Sequence, residues 1–424
     1  MAVSPGDTLQ SDLRQIFSPD HITPAEDHVP SRFTVFPTEV EQICELVALA
    51  RKRAITLLPV GGTTQLYSLP EPLDVAVSLT RLGGSLQHNP HDLTATAPAG
   101  LPFAGIQQKL ARKGQMLPLD FPGNKSSTLG GIVSTNFPGP LRHRYGSARD
   151  WVLGTAVVNG HGQVSRAGGK VVKNVSGYDL NKLYIGSRGT LGILIEISFK
   201  LHPLPEARST WGVRFNGTQD ILEAAASLRR TPLPLESLVI LNGNWIGETP
   251  GTWLLIARLA GSKSALKTQE HTLKSHLERF VPAGSLLKGK EADALWKRTD
   301  RPYSREAGAP AALARVSMGI KGLQRLLQEE TLGMDAGLRI KAYPGVGICV
   351  LAFDSDGDLD SWPEERIVRT INKMGGFVEF ESLPAGSTLE RWPILPSSLS
   401  WMKKIKKALD PDSVFAPGTF VGGV

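Results

Sequence analysis

Apolar positions along this chain recur with two periods, and the order of those periods predicts its elements. Residues 1–31 are polar and proline-punctuated, which reads as a short helix and an extended arm. RFTVF (32–36) alternates as a strand. Pro37 and Thr38 then open a helix, with Thr38 and Glu41 three apart as a capping box. Val40, Ile43, Val47 and Ala50 fall on one face of it. ITLLPV (55–60) is a short buried strand that runs directly into Gly61, Gly62, Thr63 and Thr64. Strand, helix, strand and glycine loop make a small βαβ unit that delivers a phosphate-binding turn.

DVAVSL (74–79) and LTATAPAG (93–100) read as further strands. Phe103, Ile106 and Leu110 mark an amphipathic helix that stops at Gly114. Another helix starts near Thr128, and strands follow at 151–158 and 163–166, separated by Asn-Gly and His-Gly turn chemistry. A long apolar strand, 191–205, ends at two prolines, and a domain boundary is placed there.

Beyond it the texture changes. Strands at 211–215, 238–241 and 253–259 come with helical segments at 218–230 and 263–279. After a loop-rich middle the pattern returns: strand 314–319, helix 320–331, strands 338–343 and 347–353, helix 363–374 and strand 376–382. Two related α+β halves sharing one antiparallel sheet are expected, as a cap over a cofactor. The tail holds a short basic helix and then DPDSVFAPGTF (410–420). The expected domains are thus 1–205 with its core at about 30–205, a cap at 206–395, and a segment 396–424 packing back on the first.

Composition changes this picture only by exclusion. The chain has 424 residues, 41% hydrophobic and 21% charged, ordinary for a globular protein of two or three domains. Its net charge of +7 is scattered rather than clustered with aromatics, which argues against a nucleic-acid partner. Two cysteines, Cys44 and Cys349, are too few for an iron–sulfur cluster or a disulfide framework. The N-terminus lacks the regions of a signal peptide, and no apolar run reaches 18 residues. A cytoplasmic location is the expectation.

The candidate chemistry lies in small residues. PVGGTTQL (59–66), TLGGIVSTN (128–136), RYGSARD (144–150) and GSRGTLGI (186–193) recur with paired glycines and hydroxyls. Such residues let main-chain N–H groups press against a flat polar ligand. TLGGIVSTN also sets a helix N-terminus beside a glycine pair, which favours anions. Each stretch alone also reads as a plain turn. A Rossmann G-x-G-x-x-G and a P-loop are both absent.

KNVSGYDLNKLYIGSRGTLGI (173–193) closely resembles K-x-N-x-G-Y-D-L-x-x-L-x-I-G-S-x-G-T-L-G-I of one flavoprotein group, and DPDSVFAPGTF resembles its C-terminal D-P-x-x-x-F-N-P-G. On these motifs the chain resembles flavoproteins with the vanillyl-alcohol-oxidase/p-cresol-methylhydroxylase (VAO/PCMH-type) FAD domain. Within them it is most similar to the D-2-hydroxy-acid dehydrogenases and glycolate oxidase subunits. The resemblance implies an α+β fold: a VAO/PCMH-type FAD-binding domain of two α+β subdomains plus an antiparallel-sheet cap.

It also implies cofactor contacts. Pro59, Val60, Gly61, Gly62, Thr63, Thr64 and Gln65 would wrap the FAD pyrophosphate. Asp120 and Pro122 would meet the flavin, and Ser127, Thr128, Gly130, Gly131, Ser134, Thr135 and Asn136 would contact pyrophosphate, ribityl and isoalloxazine. Gly189, Thr190, Gly192 and Ile193 would line a ring with main-chain groups. The first loop has no histidine to tether FAD, so binding should be non-covalent.

The resemblance breaks in the cap. Metal-dependent members carry H-x-G-D-G-N-x-H and a later G-G-x-x-x-x-E-H, which supply metal ligands and a histidine base. Here Tyr343 and Val350 stand in YPGVGICV (343–350) at the histidine positions. Glu381 survives in MGGFVEFES (374–382), but Ser382 replaces the base. No histidine follows His276, so no metal site is expected and the catalytic residues are unknown. The resemblance then implies an E-type subunit of a glycolate oxidase complex, with a sister FAD dehydrogenase and an Fe–S subunit as partners and a small 2-hydroxy acid as substrate.

Two other readings stay open: an autonomous dehydrogenase using Tyr178, Tyr343 or Lys341, and a reductase resembling UDP-N-acetylmuramate dehydrogenase. His143, Arg142, Arg144 and Lys173 read either as structural or as groups near flavin or anionic substrate. In WMKKIKKAL (401–409), Trp401, Ile405 and Leu409 form a packing stripe with the four lysines off it, either wet or docked on an acidic partner or membrane surface.

Overall fold

The computed structural model describes residues 5–26, 29–65, 73–121, 125–169, 178–281, 286–298, 312–329, 337–353, 364–383, 387 and 389–424. The chain divides into two compact units: Met1–Phe137 with Ser147–Leu204 and Leu395–Val424, and Pro138–Gly146 with Pro205–Ile394.

The first unit contains two layered α+β parts. In one, the strands Ser31–Val35, Leu73–Ser78 and Leu57–Val60 lie side by side and parallel, with Ile22–Pro24 antiparallel at the edge. The helix Val40–Arg53 crosses between them and buries Ile43, Leu46, Val47 and Ala50. Its capping box is Glu39 with Gln42, one residue beyond the expected Thr38 and Glu41 pair. Thr38 instead donates its N–H to the Gln42 side chain at 2.8 Å, so the polar start is shared over two residues.

The second part is a five-stranded antiparallel sheet, ordered Gln87–Asn89, Thr94–Pro98, Ile193–Lys200, Val152–Val158, Val164–Gly168. Ile193–Lys200 sits at its centre, and all of its residues but Glu196 and Lys200 are buried. Register shifts at Leu194/Glu196 and Ser198/Phe199 bend it. The predicted long strand stops at Lys200, and His202–Pro203 pairs separately with Gln115–Met116.

The other unit is built on one eight-stranded antiparallel sheet. Its order is Leu286–Lys288, Ala207–Asn216, Thr252–Gly261, Leu235–Asn242, Arg339–Tyr343, Ile348–Phe353, Ala312–Ser317, Phe377–Ser382. The two halves meet where Ile240 and Leu241 face Ala342 and Lys341. Alternate residues on one face, among them Ile240, Ile340, Leu351, Ala314 and Phe380, join a core with Leu228, Leu273, Leu326 and Ile371 from the helices. The middle that read as loop holds Leu286–Lys288 and the helix Lys290–Arg298, both short and charged enough to hide their period.

A candidate flavin site on two glycine turns

The strand Leu57–Val60 delivers its chain into Gly61 and Gly62, as the pattern of hydrophobic positions implies. The turn then lies flat on a second segment. A Cβ on Gly62 would overlap the Ser126 carbonyl oxygen, so only glycine permits this approach. Thr63 takes a left-handed conformation at φ 52°. The Thr64 hydroxyl pairs with that of Ser127 at 3.1 Å, and Ser126 Oγ donates to the Gly62 carbonyl at 3.4 Å.

The helix Leu129–Thr135 follows, capped by Thr128, whose hydroxyl accepts from Gly131 N–H at 3.2 Å. Here one expectation needs correction. The Leu129 and Gly130 N–H groups donate to the carbonyls of Leu101 and Ala99 at 3.0 and 2.8 Å. The first donors of this helix are therefore all satisfied internally, and its N-terminus offers none to an anion.

The open donors lie elsewhere. The N–H groups of Gly61, Gly62, Gly189, Leu191 and Gly192 reach no hydrogen-bond acceptor among the described residues. The second turn, Ser187–Gly192, is anchored to the helix by Arg188 N–H to the Ser134 carbonyl at 2.8 Å. Gly189 stands at φ +80°, and a Cβ there would press on the Pro59 ring at 3.1 Å.

One pocket is lined by Pro59, Val60, Gly61, Leu79, Ala99, Thr128, Gly130, Gly131, Ser134, Gly189, Gly192 and Leu194. Leu79, Ala99 and Leu194 were not anticipated; they are apolar ends of strands, with no polar signal to single them out. Of the anticipated contacts, Gly62, Thr63, Thr64, Gln65, Ser127, Thr135, Asn136, Thr190 and Ile193 belong to the same segments without lining the pocket. Asp120 does not line it either, and Pro122 lies outside the described residues.

The hydroxyls of Thr135 and Thr190 are bonded within the protein, to Gly131 O and Ser187 O, each at 2.8 Å. A glycine cradle with unmatched main-chain donors fits a pyrophosphate and a flat ring system. These residues therefore fit FAD.

The sheet of the other unit carries a second feature, on the face opposite its helices. Lys341, Val350, Arg315 and Glu379 stand in one cross-strand row. Lys341 is 2% exposed, its ammonium over the rings of Trp245 at 4.8 Å and Tyr343 at 5.9 Å. Arg315 pairs with Glu379 and lies 3.8 Å from Glu381, while Arg391 reaches Glu379 at 3.2 Å. Among the described residues no three His, Cys, Asp or Glu side chains group to hold a metal ion.

Other candidates resolve individually. His143 packs against the 343–347 turn, where a Cβ on Gly345 would collide with its ring, and burial lowers its pKa. Arg144 donates to the Ala260 carbonyl at 2.9 Å. Tyr178 is 96% exposed, and Lys173 lies outside the described residues. Lys406, expected on a wet face, is buried, whereas Trp401, expected in the packing stripe, is 65% exposed.

No helix of the described residues is long and apolar enough to cross a membrane. Residues 31–168 match the family described as FAD binding domain. The chain is 30% identical to glycolate oxidase subunit GlcE of Escherichia coli (strain K12), over 79% of this chain and 84% of that one. It is 35% identical to D-2-hydroxyglutarate dehydrogenase of Stutzerimonas stutzeri (strain A1501), over 48% of this chain and 44% of that one.

The fold is similar to that of p-cresol methylhydroxylase, with TM-score 0.73 at 16% identity, covering 98% of this chain and 97% of that one. Alkyldihydroxyacetonephosphate synthase gives TM-score 0.70 at 18% identity, over 97% and 85%. With the glycine turns above, these relationships make the chain a member of the FAD-binding oxidoreductase family of glycolate oxidase subunits and D-2-hydroxy-acid dehydrogenases, and its cofactor is FAD.

Proposed function

We propose that this chain is the E-type, FAD-binding subunit of a cytoplasmic complex that oxidises glycolate or a related small D-2-hydroxy acid. It would bind FAD non-covalently and assemble with a sister FAD dehydrogenase and an Fe–S subunit. Gly61, Gly62, Gly189, Leu191 and Gly192 would hold the cofactor through main-chain N–H groups, with Pro59, Ala99 and Leu194 as apolar walls. Bound FAD supplies a hydride acceptor.

The observation that carries the reading is the row Lys341–Val350–Arg315–Glu379. The buried Lys341 and the half-buried Arg315 flank a valine that cannot ligate a metal, and Glu379 and Glu381 are held by arginines. Such a row disfavours a divalent ion, and none of its four residues is a histidine that could act as the base. The chain would thus keep its cofactor while depending on a partner for the oxidation.

The test is a steady-state assay of the purified, flavin-loaded chain with glycolate, D-lactate and a dye acceptor. Negligible turnover alone, restored when the sister subunit is added, is expected. Brisk turnover by the isolated chain would overturn the reading and favour an autonomous dehydrogenase working through Lys341 or Tyr343.

A further inference from the structure

The C-terminal segment holds a buried ion pair, Lys406 with Asp410, that has an unusual set of partners. The Lys406 ammonium donates to the Asp410 carboxylate at 2.8 Å, to the Thr190 carbonyl at 2.7 Å and to the Phe415 carbonyl at 2.7 Å. Its three N–H bonds thus reach three separate acceptors. Asp410 also accepts from the N–H groups of Val414 and Phe415, each at 2.9 Å. Lysine is 7% exposed and aspartate 1%. Burial pushes the ammonium pKa down, and Asp410 opposes that by favouring the charged form.

Two of these contacts lead to the two glycine turns. Thr190 lies inside the Ser187–Gly192 turn, between the open donors of Gly189 and Leu191. Its carbonyl and the Leu191 N–H belong to one peptide unit and point in opposite directions. Drawing the carbonyl toward Lys406 therefore sets where that N–H points. Phe415 sits in a stretch that pairs with the strand feeding the first turn: Leu57 donates to Val414 O and accepts from Ala416, each at 2.8 Å. Leu57 is four residues before Gly61. One ammonium consequently joins the supports of both turns, and the tail supplies it.

We infer that Lys406 is a positioning residue for the flavin site, a clasp by which the C-terminal segment fixes the spacing and orientation of the Gly61–Gly62 and Gly189–Gly192 donors. The inference rests on the FAD assignment but concerns a lysine that does not itself line the pocket. It makes flavin binding and tail docking reciprocal: each strengthens the other by the same factor. A lysine that only stabilised the fold would leave the flavin environment unchanged.

The experiment compares the full-length wild-type chain with Lys406→Met and Lys406→Arg. Methionine keeps the shape and removes the donors. FAD affinity is read by fluorescence titration of apo-protein, and the ring environment by the fine structure of the visible flavin band. Loss of charged hydrogen bonds predicts FAD binding weaker by about tenfold to a hundredfold in the Met variant. A blurred band is expected with it, and partial recovery of both readouts in the Arg variant.

Wild-type affinity and band shape in Lys406→Met would overturn the inference. So would an Arg variant as weak as Met, which would assign the effect to packing. Should Lys406→Met fail to fold, hydrogen exchange on the wild type decides: FAD is expected to slow exchange at Val414 and Phe415, and unchanged rates there reject the clasp. A wild-type chain that takes up no flavin counts instead against the cofactor assignment.

Discussion

Among the described residues of the first unit, the main-chain donors of Gly61, Gly62, Gly189, Leu191 and Gly192 are left without acceptors. The second unit buries Glu236, Glu379 and Glu381 and closes each of them with an arginine. Both arrangements are polar and both are enclosed by apolar strands. They differ in whether the hydrogen-bonding capacity is used up. An unmatched donor set costs free energy until a ligand arrives, which marks it as a binding site. A matched charge set holds the sheet together and is disturbed by losing either partner.

Three changes would break or sharpen this contrast. The largest effect belongs to the charged face. Arg315→Leu leaves Glu379 and Glu381 short of a cation in the sheet interior, and a loss of about 3–5 kcal/mol in urea unfolding is expected. Flavin affinity of the folded fraction should change little. If stability is nearly unaffected, the carboxylates are not held as described.

Next comes Gly62→Val. Its Cβ meets a main-chain oxygen that cannot move aside, so the turn must shift. Overpacking of this kind costs about 1–3 kcal/mol, and the flavin-to-protein ratio after purification should fall well below that of the wild type. A fully loaded variant would remove the first turn from the site.

The smallest effect is one of pH. His143 Nδ1 is buried without a hydrogen-bond partner among the described residues, and burial, with Arg229 nearby, lowers its pKa from 6.5. The unfolded chain therefore binds the proton more readily than the folded one. The contribution is fully present above pH 6.5 and is lost as pH falls through the lowered folded value. Urea midpoints should drop between neutral and mildly acidic pH, and His143→Phe should flatten that dependence. An equal slope in the variant would assign the acid sensitivity to other groups.

Much of this architecture could be read before any coordinates. Alternation at RFTVF, the 3.6-residue recurrence of Ile43, Val47 and Ala50, and the repeated strand–helix order of the cap are local signals, because burial selects apolar residues at each element's own period. Glycine pairs announce close main-chain approach in the same way. Hydrogen-bond partners are not local. Whether Gly130 N–H or Gly61 N–H remains free depends on which strand end comes alongside, and Ala99 O takes the first while no described residue takes the second.

Lys406 is the clearest case. In the sequence it is one of four alike lysines in a basic helix. Only the fold places it beside carbonyls 216 and nine residues away, where burial leaves its donors to find protein acceptors. The chain by itself thus determined the elements and the flavin family. Tertiary structure decided which polar groups are satisfied and which stay open for the cofactor, since satisfaction is a property of neighbours that only folding assembles.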